Sequence, residues 1–286
     1  MKKSNVTLLA FAMILTIPCG LAACGSSASK SAEEQTEALP APSKSDTIRA
    51  EGYVVDTFTT SNGRNIDIAF IKHGSLMLDI DNYLIYIDPV TMFGNDFTKL
   101  PKADMIFVTH EHHDHYDTAA IARISDPATR MVMSRQVANM HGTGDAILPG
   151  ESIDIENGDK TFTLTAVPAY NNTEGHLQFH PRERLDVGAV FDVDGLRVYV
   201  AGDTEDIPEM AELKDIDIAF LPVNQPYTMT PDQAANAIEM LLSARSEAPG
   251  GKLIVYPYHY GDTDLTPLIT RYQDSPRVEL RIRDMQ

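Results

Sequence analysis

The stretch from Thr109 to Asp117 reads THEHHDHYD and concentrates side chains that bind metal ions. Its six residues from His110 to His115 hold four of the chain's nine histidines, one glutamate and one aspartate. In extended chain, side chains two residues apart point the same way, so His110 and His112 can bind one ion together. Asp114 and His115 follow where the chain turns toward a predicted helix, and they can face a second ion. Because crowded imidazoles lower one another's pKa and stay neutral, the cluster predicts a site for two metal ions.

A surface tract or a pH sensor would fit the cluster less well than a metal site. A fortuitous surface tract of histidines would not directly follow a buried strand, and Asp104 to Thr109 (DMIFVT) is typical of one. A pH-sensing cluster would not account for the paired aspartate. The chain has only two cysteines, Cys19 and Cys24, both near the N-terminus, so the predicted ligands are histidine and carboxylate groups.

Short apolar runs separated by turns predict strands on both sides of the cluster. Asn62-Gly63, Asp81-Asn82 and Asp194-Gly195 mark turns between such runs, and Asn-Gly is a strong hairpin signal. Helices are predicted for TAAIARIS and RQVANMH, and again after Thr230, where Thr-Pro-Asp-Gln provides an N-cap, an initial proline and a capping glutamine. The order of elements predicts an α+β fold of two mixed β-sheets with helices on their outer faces.

Three predicted strands end in a residue that can bind metal. They are FVTH, YVAGD and YPYH, which end at His110, Asp203 and His259. Strand ends hold side chains on rigid elements, and sites are commonly assembled there. We therefore expect these distant residues to meet at one edge of the fold.

Residues 1–23 resemble a bacterial lipoprotein signal peptide. Lys2 and Lys3 precede an apolar run that is too short to cross a bilayer comfortably, and LAAC ends at Cys24, the predicted lipidation site. An uncleaved anchor helix or an ordinary secretory signal are the alternatives. The Ser-, Ala-, Glu- and Pro-rich residues 24–50 predict a flexible tether, and residues 51–286 the folded domain. The expected protein is exported and lipid-anchored to the bacterial membrane, whether inner or outer.

The charge of the chain limits its partners. The net charge is −18, and removal of residues 1–23 takes away two lysines and no acid, which gives −20. Such a surface repels the phosphates of nucleic acid, so no nucleic-acid partner is expected. The expected partners are a small-molecule or lipid substrate, and the membrane through the N-terminal anchor.

Several motifs in chain order resemble the metallo-β-lactamase superfamily. His110-x-His112-x-Asp114-His115 resembles its His-x-His-x-Asp-His signature. Further elements resemble those of its lactonase and phospholipase-D-like branch: His73-Gly-Ser, Asp88-Pro, Val167-Pro-Ala-Tyr-Asn, Phe179-His180-Pro181, Gly202-Asp203-Thr204 and Tyr258-His259-Tyr-Gly. The resemblance implies a four-layer αββα sandwich and a metal-dependent hydrolase.

The resemblance also implies roles for individual residues. One ion would lie on His110, His112 and His180, a second on Asp114, His115 and His259, with Asp203 bridging both. Asp114 would orient the attacking water as the catalytic residue, and Asp88 would orient a ligating imidazole. His176 is four residues before His180 and is the alternative third ligand. His73 either lines the pocket or satisfies a buried hydrogen bond.

The expected reaction is hydrolysis of an ester, lactone or phosphodiester by a hydroxide held between two divalent ions. Zinc is the expected metal, with manganese and iron as alternatives that the same ligands can bind. Diiron, electron-transferring relatives carry glutamate where this chain has His112, which favours hydrolysis. The alternative is a non-enzymatic lipoprotein that binds metal or a partner on the same fold. Five loop residues are candidates for substrate contact or for packing: Tyr170, Asn171, Asn224, Tyr227 and Tyr258.

Overall fold

The computed structural model describes residues 42–246 and 251–286. The predicted signal peptide, the lipidation site Cys24 and the tether up to residue 41 lie outside the described residues, and they stay predictions. Among the helices of the described part, none combines the length and the apolar character needed to cross a bilayer.

The first sheet contains seven strands of the described chain, in sequence order from edge to edge. The first four are antiparallel neighbours and the last four parallel ones. The strands are β1 (Val55–Thr59), β2 (Asn65–Lys72), β3 (Ser75–Ile80), β4 (Tyr83–Ile87), β5 (Met105–Val108), β6 (Arg130–Ser134) and β7 (Asp145–Ile147).

The second sheet repeats this arrangement with the other seven described strands. Its order is also sequential, antiparallel over its first four strands and parallel over its last four. The strands are β8 (Ser152–Asn157), β9 (Lys160–Ala169), β10 (Asp186–Val193), β11 (Leu196–Val200), β12 (Ile218–Pro222), β13 (Leu253–Tyr258) and β14 (Val278–Leu280).

Successive side chains of a strand belong alternately to two different cores, and this shows that the two sheets lie between two layers of helices. On β2, Ile66, Ile68 and Phe70 belong to the large core that also contains the second sheet, whereas Ala69 and Ile71 belong to a second core. The second core includes residues of α1 (Lys44–Ala50), α2 (Thr118–Ile124) and α3 (Arg135–His141). Helices α4 (Pro231–Ser243) and α5 (Thr266–Tyr272) pack on the second sheet. The predicted αββα sandwich is confirmed.

The domain begins earlier than the predicted Glu51. Helix α1 is capped by Ser43, which accepts a hydrogen bond from the Asp46 N–H, and its Ile48 is 1% exposed in the core. Ser45 also binds the Asp79 carboxylate of β3 through its backbone N–H and its hydroxyl, at 3.1 and 2.7 Å. The composition of residues 24–50 did not predict this helix, because one buried isoleucine and one cap form too weak a pattern to indicate a helix. Residues 44–50 are therefore not tether.

Candidate metal centre

Asp88 fixes the start of the histidine cluster. It lies directly after β4, and its carboxylate accepts hydrogen bonds from the Thr109 N–H at 2.8 Å and the Thr109 hydroxyl at 2.7 Å. The same carboxylate is 2.7 Å from His115 Nδ1. Asp88 is 1% exposed, so it holds both ends of the metal-binding loop from inside the fold. This contact leaves His115 Nε2 facing away from Asp88 and available to a cation.

Three imidazoles form the first group of potential ligands. His110 Nε2 is 3.1 Å from His112 Nδ1, and ligand atoms of these two and of His180 lie within 4.8 Å of one another. His176 does not join this group among the described residues. Its Nδ1 is instead 2.9 Å from the carboxylate of Glu205, a residue that is fully buried. The geometry thus places His180, and not its neighbour, beside the His110 cluster.

The second group contains the expected Asp114, His115 and His259, and it also contains His73. His73 Nε2 is 3.0 Å from Asp114 Oδ2, and the ring centroids of His73 and His259 are 3.7 Å apart. Gly74 is needed here because a Cβ at its position would lie 2.7 Å from His115 Cε1. The sequence left the role of His73 open, and the structure places it in the site.

Asp203 lies between the two groups. Its Oδ2 is 3.5 Å from His180 Nε2 and 3.9 Å from His110 Nε2, which belong to the first group. The same oxygen is 3.3 Å from His259 Nε2, and Oδ1 is 3.4 Å from His115 Nε2 in the second. All seven ligands expected from the sequence therefore converge, although they come from separate parts of the chain.

The donor set fits metal ions. Asp203 Oδ1, His115 Nε2 and His259 Nε2 are buried without a hydrogen-bond partner within the described part of the chain. Unpartnered buried polar atoms cost about 1–3 kcal/mol each, and a cation between them removes that cost. Imidazole nitrogen with carboxylate oxygen suits zinc, manganese or iron, so the residues do not select among these metals.

Burial and neighbouring charges together keep most groups of the cluster in metal-binding forms. Burial lowers the pKa of His110 well below its usual range, and burial with the neighbouring His180 lowers the pKa of His112 to about 4. Burial alone would raise the pKa of Asp203, but His259 and His115 hold it well below its usual range. His115 is the exception. Burial opposes its charge, yet Asp203 and Asp88 raise its pKa well above the usual value.

Arg184 is a polar neighbour of the site that the sequence did not indicate. Its guanidinium contacts His112 Nε2 at 3.1 Å and His180 Nδ1 at 2.9 Å. It is also bound to Glu111 Oε1 at 3.0 Å and, through Nε, to the Asp186 carboxylate. Arg184 thus packs behind two potential ligands and occupies the carboxylate of Glu111, which was not expected to bind metal. An arginine on a short 3-10 helix (Arg182–Arg184) carries no local signal for this role.

A cavity of about 460 Å³ opens over both groups. It is lined by Met92, Phe93, His112, His113, Asp114, Phe179, His180, Asp203, Asn224, Tyr227 and His259. Two of the five candidate substrate contacts, Asn224 and Tyr227, are among them. The Tyr170 hydroxyl donates to Glu209, the Asn171 amide to two backbone carbonyls, and the buried Tyr258 hydroxyl to the Gly202 carbonyl. These three residues have structural roles.

Comparison with known proteins places the chain in a family. The sequence profile of the "Beta-lactamase superfamily domain" matches residues 83–248. The UPF0173 metal-dependent hydrolase of Shouchella clausii is 30% identical over 209 residues, covering 68% of this chain and 85% of the relative. The corresponding protein of Geobacillus thermodenitrificans is 31% identical over 205 residues, with 68% and 84% covered.

Solved structures agree with these sequence relatives. A candidate metal-dependent hydrolase from Parabacteroides distasonis is 46% identical, with a TM-score of 0.73, and the match covers 82% of this chain and all of that one. Igni18, a metallo hydrolase from Ignicoccus hospitalis, shares the fold at 20% identity and a TM-score of 0.59 over 77% of this chain and 95% of its own. The chain therefore belongs to the metallo-β-lactamase superfamily and to its metal-dependent hydrolases.

Proposed function

We propose that this hydrolase uses two divalent metal ions and that Asp203 would bridge them. Zinc is the expected metal. The observation that carries this proposal is the position of Asp203, whose carboxylate lies 3.3–3.9 Å from imidazoles of both groups. His110, His112 and His180 would hold one ion, and Asp114, His115 and His259 the other. Bound in this way, the ions would lower the pKa of a water toward about 7 and make hydroxide available at neutral pH.

The protein's own groups determine how that water reacts. Asp114 is partly exposed and lines the cavity, so its carboxylate can accept a hydrogen bond from the attacking water and orient it. His73 is 3.0 Å from Asp114 and packs against the ring of His259, which restricts the orientation of that carboxylate. The cavity admits a substrate above these groups, while the bodies of the buried ligands exclude bulk water from below.

Metal analysis combined with turnover tests this proposal. Purified protein should hold two equivalents of metal per chain and hydrolyse an ester, a lactone or a phosphodiester, and a chelator should abolish both properties. Asp203→Asn should lose metal and turnover, whereas Asp159→Asn, which changes an exposed aspartate in the β8–β9 turn, should lose neither. Full turnover by the metal-free protein, or a single tightly bound ion in the active form, would contradict the two-metal site.

The expected place of action is outside the cytoplasm, on a lipid anchor at Cys24. The support is the sequence pattern of residues 1–24 and the start of the folded domain by Lys44, which leaves residues 25–43 as the connection. Metabolic labelling with a radioactive fatty acid tests this directly. The wild-type chain should be labelled and Cys24→Ala should not, with Cys19→Ala as the matched control that keeps the label.

A further inference from the structure

Apolar side chains flank the candidate metal centre on the surface of the cavity. Phe93 stacks on His73, with ring centroids 4.5 Å apart and planes inclined by 29°. Phe179 and Tyr227, from the loops around His180 and after β12, pack edge to face with centroids 4.9 Å apart. Together with Met92 these rings form the apolar part of the cavity wall.

Exposure of these rings to water is unfavourable, which indicates that a ligand covers them. Phe93 is 44% exposed and Tyr227 is 47% exposed, although both are large enough to be worth burying. Phe93 also adopts a left-handed backbone conformation, with φ of 65°, which is unfavourable for a bulky residue by about 1 kcal/mol or more. A phenylalanine held at that position beside charged groups is explained if an apolar part of the substrate covers it.

The charge of the cavity limits the charge of that substrate. Among the described residues that line the cavity there is no lysine or arginine. The nearby Arg184 is bound to Glu111 and Asp186 behind the imidazoles. Two divalent ions with the Asp114 and Asp203 carboxylates and one hydroxide have a single net positive charge. That balance matches a neutral substrate that develops one negative charge as hydroxide adds, and it leaves a doubly charged phosphate monoester without a partner.

Asn224 supplies the remaining polar contact. Its backbone N–H donates to the Thr228 hydroxyl, and its carbonyl accepts from the Tyr227 and Thr228 N–H groups. Its side-chain amide lines the cavity and makes no hydrogen bond to the described part of the protein. A fixed residue with an uncommitted amide can donate to a carbonyl oxygen or accept from a hydroxyl of the substrate.

We infer that the substrate is an uncharged carboxylic ester or lactone with an apolar group, which lies against Phe93 and Tyr227 while Asn224 binds its polar end. This inference rests on the proposed two-metal hydrolysis. In the reaction, the hydroxide oxygen forms a bond to the acyl carbon and the bond from that carbon to the alkoxy oxygen breaks. The alkoxy oxygen takes a proton, so one ester and one water give one carboxylic acid and one alcohol, or one hydroxy acid from a lactone.

A matched pair of esters tests the inference on metal-loaded protein. 4-Nitrophenyl hexanoate and mono-4-nitrophenyl adipate share the leaving group and chain length, and they differ in a terminal methyl or carboxylate. We expect kcat/KM to be at least about tenfold higher for the hexanoate, after subtraction of uncatalysed hydrolysis. Equal or better cleavage of the adipate would overturn the inference. A kcat/KM for bis(4-nitrophenyl) phosphate that is higher than the value for the hexanoate would also overturn it. Metal-dependent cleavage of that phosphodiester would leave the proposed function standing, whereas no turnover of any of the three would overturn both.

Variants connect this preference to the aromatic wall. Phe93→Ala should raise KM for the hexanoate about tenfold, with metal content unchanged, and should reduce the preference over the adipate. Binding of butyl 4-nitrophenyl ether, a non-cleavable analogue, should weaken about tenfold in calorimetry, which separates substrate contact from chemistry. Met140→Ala, at an exposed apolar residue on α3 that does not line the cavity, is the matched control and should change neither value. An unchanged KM and unchanged ether binding in Phe93→Ala would overturn the assignment.

Discussion

The two ends of the β-sandwich both place charged side chains between the sheets, but they balance the charge in different ways. At the end away from the cavity, Arg64 precedes β2 and donates to Asp81 at 2.6 Å and to Asp194 at 3.3 Å. Its guanidinium also reaches across to the Thr161 carbonyl of β9 at 2.7 Å. The cation that joins the sheets at this end is part of the chain.

At the other end of the same strands the chain supplies no such cation between the two groups of described ligands. Along β2, Arg64 lies before the strand and His73 lies after it. Along β10, Asp186 is the first residue and Asp194 follows the last one. Asp203 and the imidazoles beside it retain buried atoms without partners in the described structure. A protein selected only for stability would balance these charges with a cation of its own, as Arg64 balances Asp81 and Asp194. The difference identifies one end as a structural clamp and the other as a site that is completed by exchangeable ions.

The largest expected effect concerns only the end that holds the candidate metal centre. Asp203→Asn should lower turnover by about 10³-fold or more, because it removes the charge and the second oxygen placed between the two ligand groups. The free energy of unfolding of the metal-free protein should also fall, since the lowered pKa of Asp203 means that His259 and His115 stabilise its charged form in the folded chain. Steady-state kinetics and urea unfolding measure these two quantities.

A second test distinguishes two neighbouring histidines. His180→Ala should lose about one equivalent of metal and about a hundredfold in turnover, because it removes an imidazole from the first ligand group. His176→Ala should retain both metals and activity within about threefold, since His176 contacts Glu205 and not the ligand group. Equal loss in both variants would show that the loop between them, and not the identity of the ligand, controls the site.

These results also show which features a sequence can predict. His110, Asp203 and His259 were predictable because each closely follows a strand with a clear apolar pattern, and strand ends meet at one edge of a sheet. Strand β5 was predictable although all four of its residues are buried, because a short continuous apolar run is typical of a buried strand.

The contacts of Arg184 and Arg64 were not predictable from the sequence. Each of these arginines pairs with partners far along the chain, such as Glu111 for one and Asp194 for the other, and no local spacing encodes such pairs. The choice of His180 over His176 followed from the resemblance at Phe179-His180-Pro181, whereas the contact of His176 with Glu205 required the structure. Sequence patterns thus locate the ligands, whereas the residues that surround and select them require the structure.

The clamp end should respond in stability and not in chemistry. Arg64→Met should lower the free energy of unfolding by about 2 kcal/mol, because Asp194 loses its salt-bridge partner at a largely buried position and Asp81 keeps only Lys160. Metal content and kcat should match the wild-type values at a temperature where both proteins are folded. A marked loss of turnover in a folded Arg64→Met protein would contradict the separation of the two ends.

The smallest expected effect is a dependence of stability on pH that comes from the clamp. Burial alone would raise the pKa of Asp81, but its hydrogen bonds to Arg64 and Lys160 lower it below the usual value near 4. Between the lowered folded value and the unfolded value, the unfolded chain binds more protons than the folded one, so stability increases with pH. The contribution of Asp81 is therefore complete above about pH 5 and is lost as the pH falls below about 4.

Unfolding by urea at pH 3 and at pH 6 measures this contribution. The difference in the free energy of unfolding between the two pH values should be smaller in Arg64→Met than in wild type. Both proteins should be metal-free, so that the ligand histidines contribute equally. An equal difference in the two proteins would mean that the arginine does not lower the pKa of this aspartate, and the clamp would then rest on the contacts of Arg64 with Asp194 and the Thr161 carbonyl.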